Sequence, residues 1–326
     1  MRPLRIGTRG SALALWQARA VAAGLERNGI AAELVVITTR GDAKQDMPLA
    51  TIGGKGVFVA EIHDALRRED IDLAVHSAKD MPAVSPQGLT IAAVLPREDP
   101  RDALVLPVAR PVAHGFSPAS VLTVAQGFSS ASGAAHEGLR YATGVIGTGS
   151  PRRIAQLRRL HPGARFEAIR GNVDTRLRKL DAGSLDALVL ACAGLRRLGL
   201  AHRITRAMAV DECVPAPGQG IIAIETRAGD RRAVGLLAPL NDPAARIALA
   251  AEQAVVAALG GGCQLPLGVF AELHGDELSI RAIAASLDGA TTVEATITGN
   301  PGSPAEAGTR LARELASRGA RELLNT

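Results

Sequence analysis

The residues in this sequence that are best suited to bind a ligand or take part in a reaction follow short apolar runs. They are rich in cationic and hydroxyl side chains. They come after three predicted strands in the first half and after two in the second: Thr8, Arg9, Ser11, Arg40, Gly41, Asp42, His76, Ser77, Lys79 and Asp80, then Thr148, Ser150, Arg152, Arg153, Arg170, Gly171, Asn172 and Arg176. Ligands bind beyond the carboxyl ends of the strands in open parallel sheets, so these side chains are expected to share a cleft. Guanidinium groups and helix N-termini bind anions, which predicts a ligand with several carboxylates or phosphates. Each residue taken alone could instead be a helix cap or a surface charge.

Two further residues suggest chemistry beyond anion binding. Asp80 is a carboxylate among cations, where it could act as a general acid or base or stabilise a positive intermediate. A salt bridge to Lys79 or a neighbouring Arg is the alternative. Cys263 lies in the run GGGCQLPLG, whose glycines let the backbone turn tightly and bring the thiol close to another group. Cys192 and Cys213 are expected to be buried structural residues.

Several familiar motifs are absent from the sequence. The three cysteines are not at metal-ligand spacing and no histidine pair completes a site, so no metal is predicted. The run GGKG lacks the spacing of a P-loop, and GTGSPR lacks the third glycine of a dinucleotide fingerprint.

The elements that must position these residues follow the order β-α-β-α-β, twice. This order predicts two α/β domains with mostly parallel sheets and a cleft between them, followed by a small α+β domain. The predicted strands are Leu4–Gly7, Leu34–Thr38 (expected to be buried), Ile71–Val75, Val145–Ile146, Arg165–Ile169, Ala187–Ala191, Val269–Leu273, Leu278–Ala285 and Thr292–Thr298. The predicted helices begin after Ser11 and end at Asn28-Gly29, or span Lys55–Arg68, Arg152–Leu160, Val173–Ala182, Leu249–Leu259 and Pro304–Arg318. The predicted domains are 1–98 with 219–240, then 99–214 with a loop-like insertion at about 107–142, then 243–326.

Composition narrows the function classes. The 326 residues carry a net charge of +5, and aromatic residues make up 2%, which disfavours a surface that stacks nucleic-acid bases. No apolar run approaches the ~20 residues that span a bilayer, and the start of the sequence has no signal-peptide pattern. A cytoplasmic protein with no membrane or nucleic-acid partner is therefore expected.

Ten runs, in order from Arg5 to Gly268, give the sequence a resemblance to the porphobilinogen deaminase (hydroxymethylbilane synthase) family: RIGTRGSALALWQA, TTRGD, GGKGVFVAEIHDAL, DLAVHSAKDMP, REDPRDALV, GTGSPRR, IRGNVDTRL, LACAGLRRLGL, PAPGQG and GGGCQLPLG. The resemblance implies two domains like those of type II periplasmic binding proteins and a third that carries the cysteine. It implies an enzyme of tetrapyrrole (haem) biosynthesis, acting as a monomer, that joins four porphobilinogen units head to tail and releases ammonia. It also implies a dipyrromethane cofactor held by a thioether on Cys263.

The resemblance assigns roles to individual residues. Asp80 is the implied catalytic group, facing pyrrole N–H groups and the cation left when ammonia departs. The implied cofactor ligands are Ser77, Lys79, Asp80, Thr148, Ser150, Arg152, Arg153 and Cys263. The implied substrate ligands are Arg9, Ser11, Arg152, Arg153, Arg170, Asn172 and Arg176. Gly149 and Pro151 depart from the family pattern, and Arg196 and Arg197 receive no role in the cleft.

Two other function classes stay open from the sequence. A solute-binding protein could keep the cleft without catalysis, although the presence of both Asp80 and Cys263 argues against it. A basic nucleic-acid binder is opposed by dispersed charge and few aromatic residues.

Overall fold

A computed structural model describes residues 2–39, 59–108, 144–260 and 265–324. Three sheets organise these residues. Most of the predicted insertion, the segment with Arg40–Asp42, the first part of the predicted helix Lys55–Arg68, and Cys263 lie outside the described residues. Within the described ranges, no helix is both long and apolar enough to span a membrane.

Thirteen strands are found in the described residues, in chain order. They are β1 (Leu4–Thr8), β2 (Ala32–Val36), β3 (Leu73–Ser77), β4 (Leu89–Val94), β5 (Asp102–Val105), β6 (Val145–Gly147), β7 (Arg165–Glu167), β8 (Ala187–Ala191), β9 (Arg206–Ala207), β10 (Ile222–Arg227), β11 (Leu267–His274), β12 (Glu277–Ala285) and β13 (Thr292–Gly299). The helices described are α1 (Ala12–Arg27), α2 (Ala60–Arg67), α3 (Pro151–Leu160), α4 (Val173–Asp181), α5 (Cys192–Arg197), α6 (Arg231–Leu237), α7 (Pro243–Leu259), α8 (Pro304–Ser317) and α9 (Ala320–Leu324).

The first two sheets share one topology. Their strand orders are β2-β1-β3-β10-β4 and β7-β6-β8-β5-β9. In each sheet three parallel strands are followed by an antiparallel strand, β10 in the first and β5 in the second. The fifth strands, β4 and β9, are antiparallel to β10 and β5, so four of the five strands in each sheet run in the same direction. The mostly parallel sheets and the repeated topology predicted from the sequence are therefore confirmed.

The chain crosses twice between the two sheets. It leaves the first sheet after β4 and returns to it as β10. The crossings touch at Gly220, where a Cβ atom would lie 2.2 Å from the carbonyl oxygen of Glu98. Gly220 also has φ of 88°, so both contact and backbone conformation favour glycine. The crossings thus form a close-packed connection between the two α/β units.

Helix α1 shows how the sequence builds one of these units. Ser11 caps its N-terminus by accepting a hydrogen bond from the backbone N–H of Ala14, and Gly29, at φ of 73°, follows its C-cap. The helix buries Val21 and Leu25 against the first sheet. Its N-terminus follows β1 directly, so it faces the carboxyl edge of the sheet.

The C-terminal unit is an antiparallel three-stranded sheet, β11-β12-β13, covered by α7 and α8. Its core is made of Ala, Val, Leu and Ile, as the scarcity of aromatic residues requires. Helix α7 begins at Pro243, six residues before its predicted start, because Asp242 caps it and Pro243 is suited to the first turn.

One prediction about burial was wrong. The β-branched run at Leu34–Thr38 was expected to form a buried strand, but β2 spans Ala32–Val36 and lies at the edge of its sheet. Val36 is 56% exposed. A β-branched run indicates a strand but does not show whether that strand will lie in the centre or at the edge of its sheet.

Candidate active site

A cavity of about 510 Å³ lies between the first two sheets. Six cations reach it: Arg9, Lys79, Arg153, Arg170, Arg176 and Arg197. Two carboxylates, Asp80 and Asp174, also line it. The structure therefore brings together most of the residues that the sequence placed after the strands, and the excess of positive charge suits a polycarboxylate.

Several polar residues of the predicted site are helix caps. Ser11, Ser150 and Asn172 each accept a hydrogen bond from a backbone N–H three residues later. Ser11 and Asn172 also line the cavity. Capping and ligand binding are thus not alternatives here, because the capped N-termini of α1 and α4 lie at the cavity and direct the positive ends of their helix dipoles towards it.

Lys79 and Asp80 belong to a single helical turn, Ala78–Asp80, that directly follows β3. Asp80 is exposed to the cleft, whereas Lys79 is partly buried and donates to the side-chain oxygen of Gln219 at 3.4 Å. Burial lowers the pKa of Lys79 to about 8, although the adjacent Asp80 opposes that shift. Ser77 lines the same cavity and is hydrogen-bonded to Gln17 at 2.8 Å.

The arginines of helix α4 and its preceding loop form the opposite wall. Arg176 donates from Nε to the carbonyl oxygen of Gly171 at 2.8 Å, which fixes the base of its guanidinium. Burial lowers the pKa of Arg176 to about 10, with Arg153 and Arg170 adding to that effect. With a pKa of about 10 the Arg176 guanidinium stays charged at neutral pH, so this wall attracts carboxylates.

Arg152 and Arg153 have a buried partner that the sequence did not reveal. Asp102 accepts from Arg152 at 2.7 Å through one carboxylate oxygen and from Arg153 at 2.7 Å through the other. Burial of Asp102 favours its neutral form, but the two guanidiniums outweigh this effect and hold the pKa of its carboxyl well below the usual range. The Asp102 carboxylate therefore fixes both arginines at the N-terminus of α3.

The two arginines occupy different places. Arg153 lines the main cavity, whereas Arg152 is absent from its wall and donates to the carbonyl oxygen of Val214 at 2.8 Å. Cys213 lies beside this cluster, with its sulfur 3.4 Å from the carboxylate of Asp102. Cys192 and Cys213 are both fully buried, as predicted for structural cysteines, and burial raises the pKa of each thiol to about 12.

A second cavity of about 70 Å³ connects this region to the C-terminal unit. Lys79, Ser150, Arg152 and Leu265 are among the residues that line it. Cys263 lies outside the described residues, but Leu265 is two positions after it in the chain. Thr148 lines neither cavity; it is fully buried and its hydroxyl accepts from the backbone N–H of Ser150 at 3.3 Å.

The sequence analysis missed Arg197. This residue lines the main cavity, donates to the carbonyl oxygen of Gly220 at 2.6 Å and lies over the ring of Trp16 at 5.8 Å. The structure thus places Arg197 in the cavity wall, where the sequence analysis gave it no place. The run LRRLG gave no signal because its two arginines are adjacent and only the helical turn of α5 separates an inward from an outward side chain. Arg196, by contrast, is exposed.

Two family models together match most of the chain. The model described as "Porphobilinogen deaminase, dipyromethane cofactor binding domain" matches residues 4–234, and the model of the porphobilinogen deaminase C-terminal domain matches residues 247–317. The chain belongs to the porphobilinogen deaminase family. It is 46% identical over 323 residues to the porphobilinogen deaminase of Roseiflexus castenholzii, covering 98% of both chains. It is 43% identical to that of Acidithiobacillus ferrooxidans, covering 98% of this chain and 97% of the relative.

Among solved structures, the periplasmic VFT2 domain of Bordetella pertussis BvgS shows a partial likeness. The TM-score is 0.38 at 15% identity, covering 73% of this chain and 86% of that one.

The cleft of this chain fits a dipyrromethane cofactor. Each pyrrole of that group carries two carboxylates, and the cavity presents cations from both α/β units, among them Lys79, Arg153 and Arg176. Asp80 also lines the cavity, and a carboxylate is a suitable acceptor for pyrrole N–H groups. The fit rests on this donor set: cations for the acidic side chains of the pyrroles and one carboxylate for their ring nitrogens.

Proposed function

We propose that this member of the family uses Asp80 as its catalytic group, its cleft cations as carboxylate ligands and Cys263 as the attachment point of its cofactor. The observation that carries the proposal is the position of Asp80. Its carboxylate is exposed at the end of β3 in a cavity lined by six cations. A negative group is out of place in a site that binds only anions, so it serves a species that becomes positive.

The reaction explains why both charges are needed. Porphobilinogen with a protonated aminomethyl group loses ammonia when the bond between its methylene carbon and the ammonium nitrogen breaks and the electron pair leaves with the nitrogen. The methylene carbon is left electron-poor, and the positive charge is shared with the pyrrole ring. Asp80 accepts a hydrogen bond from the pyrrole N–H and stabilises the positive charge as it moves from the ammonium group onto the ring, which lowers the barrier.

The cations have the complementary task of binding and orientation. Guanidiniums hold carboxylates through paired hydrogen bonds, and so they fix the angle of each pyrrole as well as its place. Arg170 and Arg176 are proposed to hold substrate carboxylates. Arg9 and Ser11 are proposed to assist from the facing wall, and Asn172 from the N-cap of α4. Lys79, Arg153, Ser77 and Ser150 are proposed to hold the cofactor.

The dipyrromethane cofactor supplies a nucleophilic pyrrole carbon to which the first substrate unit is joined. We place it between the two cavities, since Lys79 lines both and the second cavity reaches Leu265. Arg152 belongs to this region through Asp102 and the second cavity, so its proposed role towards the cofactor is mainly to position Arg153. Thr148 is proposed to act in the same indirect way, through Ser150.

The division into domains 1–98 with 219–240, 99–214 and 243–326 is supported by the membership of the three sheets. We further infer a cytoplasmic monomer that serves haem formation and binds no nucleic acid. The free thiols of Cys192 and Cys213 agree with a reducing compartment, and the scarcity of aromatic residues opposes base stacking. Light scattering of the purified protein, with and without added DNA, tests the monomer and the lack of nucleic-acid binding.

Single-turnover kinetics of Asp80→Asn test the central assignment. The amide keeps the shape but not the charge, and loss of one preorganised electrostatic partner costs about 2.7–4 kcal/mol, or about 10²–10³ in rate. Asp174→Asn is the matched control, because Asp174 is the other carboxylate that the structure shows in the cavity wall. Ammonia release that is equally slow in both variants, or unchanged in Asp80→Asn, contradicts the assignment.

Intact-mass measurement tests the anchor and separates the enzyme from a solute-binding protein. The wild-type chain should carry the mass of two linked pyrroles, and Cys263→Ser should carry none, while Cys192→Ala keeps it. An unmodified wild-type chain would instead favour a binding protein.

A further inference from the structure

Three buried side chains of the first α/β unit meet outside the cleft. They are His63 on α2, His76 on β3 and Glu225 on β10. The two histidines are each 5% exposed and Glu225 is 0% exposed. No short sequence motif could reveal the group, since Glu225 joins it only through the return of the chain to the first sheet.

The polar atoms of these residues converge on one point. Nε2 of His63 lies 3.0 Å and Nε2 of His76 lies 3.5 Å from the same oxygen of Glu225, and the candidate ligand atoms all lie within 4.8 Å of one another. The imidazole rings are inclined at 63°. Their facing nitrogens therefore approach the carboxylate from different directions.

Convergence has not produced ordinary hydrogen bonds. Neither Nε2 atom and neither oxygen of Glu225 has a hydrogen-bond partner of acceptable geometry within the described residues. Leaving buried polar groups unsatisfied costs about 1–3 kcal/mol each, and more for a charged group. Four such atoms at one place are explained if their lone pairs point to a shared ion.

The donor set selects the kind of ion. Two imidazole nitrogens and one carboxylate oxygen suit zinc, whereas calcium and magnesium prefer oxygen ligands. Zinc bonds of about 2.0–2.2 Å at tetrahedral angles place ligand atoms about 3.3 Å apart. The separations of 3.0 and 3.5 Å between the nitrogens and Glu225 lie on either side of that value.

We propose that His63, His76 and Glu225 form a zinc site, with water as the fourth ligand. The site is structural: none of its three residues lines either cavity. It would join α2 to two neighbouring strands of the first sheet. It also lies directly behind the active site, since His76 immediately precedes Ser77 and the turn that carries Lys79 and Asp80. Zinc would therefore stabilise the strand end that positions the catalytic carboxylate.

Metal analysis of the holoenzyme tests this proposal. Protein stripped with a chelator is dialysed against Zn²⁺, and bound zinc is measured by mass spectrometry of the element. We expect about one zinc per chain in the wild type and less than about a tenth of that in His63→Gln and in His76→Gln, because a structural site depends on its complete ligand set. His274→Gln is the matched control, since His274 also contacts a carboxylate, that of Glu272 at 3.4 Å, but is exposed.

Two measurements on the wild type keep the test independent of variant folding. Co²⁺ substituted for zinc should give the visible spectrum of a tetrahedral site with nitrogen and oxygen ligands. Added Zn²⁺ should raise the melting temperature of the stripped protein, because a ligand that binds the native state stabilises it. Wild-type protein that takes up no zinc, or His63→Gln and His76→Gln that keep it fully, overturns the proposal and leaves a metal-free pair of histidines around a carboxylate.

Discussion

Arg97, which is largely buried, and Glu252, which is fully buried, form an ion pair with 2.7 Å between Nη1 and Oε1 that joins the crossing region of the two α/β units to the C-terminal unit. Glu252 also accepts from the backbone N–H groups of Gly218 and Ala271, and Arg97 donates to the carbonyl oxygen of Gln219. The pair is thus bonded to the second crossing and to β11. Because α7 carries Glu252, this contact fixes that helix against the crossing region of the two α/β units.

Glu252→Gln should destabilise the protein by about 3–5 kcal/mol, since breaking a buried pair leaves Arg97 charged and unpaired. The amide nitrogen would also face a backbone donor. Urea unfolding measures the loss. Glu294→Gln is the matched control: its partner Arg281 lies in the same sheet, but both side chains are about 30% exposed, and exposed pairs contribute about 0–1 kcal/mol. If both variants lose the same free energy of unfolding, then the Arg97–Glu252 pair contributes no more stability than an exposed pair.

Asp102→Asn should also be strongly destabilising at pH 7, by about 3–5 kcal/mol, because Arg152 and Arg153 both lose their counter-charge. Asp181→Asn, which weakens a more exposed pair with Arg203 in the same unit, should cost about 0–1 kcal/mol.

The stability difference between wild type and Asp102→Asn should depend on pH in one direction. The folded pKa of Asp102 is depressed, so its contribution is complete above the ordinary carboxyl pKa of 3.8 and declines as the pH falls below it. The urea midpoints of the wild type and Asp102→Asn should therefore differ at neutral pH and approach each other at acid pH. A difference that widens on acidification would contradict the ionised state of this carboxylate.

The lowered pKa of Lys79 predicts that substrate affinity changes at mildly alkaline pH. Its pKa of about 8 means that the ammonium is present below that pH and is lost as the pH rises through it. Lys79 is proposed to hold the cofactor, but its ammonium also adds to the positive potential of the whole cleft, so KM for porphobilinogen should rise between about pH 7 and 9 in the wild type as that charge is lost. In Lys79→Met, KM should be raised at every pH and lack this step. Since titration of the substrate affects both proteins equally, the ratio of their KM values isolates Lys79.

The outline of the molecule could be predicted from the sequence because local patterns determine it. Ser11 and Asn172 signal helix starts by short-range chemistry, and both act as N-caps. The strand β8 was predicted at its observed bounds because five apolar residues follow a turn. Local patterns could not show that β10 returns to the first sheet or that β5 inserts in the second, since those pairings join distant parts of the chain.

The same limit explains what was missed at the site. Arg152 and Arg153 were recognised as cations, but their partner Asp102 lies fifty residues earlier and enters the group only through β5. His63, His76 and Glu225 likewise come from three elements. Residue type shows which chemistry a side chain can perform, whereas its partner depends on the tertiary fold.

Arg197→Gln should impair catalysis, while Arg196→Gln should not, although the residues are adjacent on one helix. Arg197 lies in the cavity wall, where burial lowers its pKa to about 10, and it joins three parts of the molecule: α5, the second crossing at Gly220 and α1 at Trp16. Loss of a hydrogen-bonded charged group costs about 1.5–3 kcal/mol, which corresponds to about 10- to 100-fold in kcat/KM. Arg196 is exposed and pairs with Asp99 at 3.3 Å, so its removal should stay within about 0.5 kcal/mol. Steady-state kinetics of the two variants, together with the number of pyrrole units that each protein carries by intact mass, make the comparison. If Arg196→Gln is the slower enzyme, or if Arg197→Gln matches the wild type in both measurements, then Arg197 is not part of the binding surface.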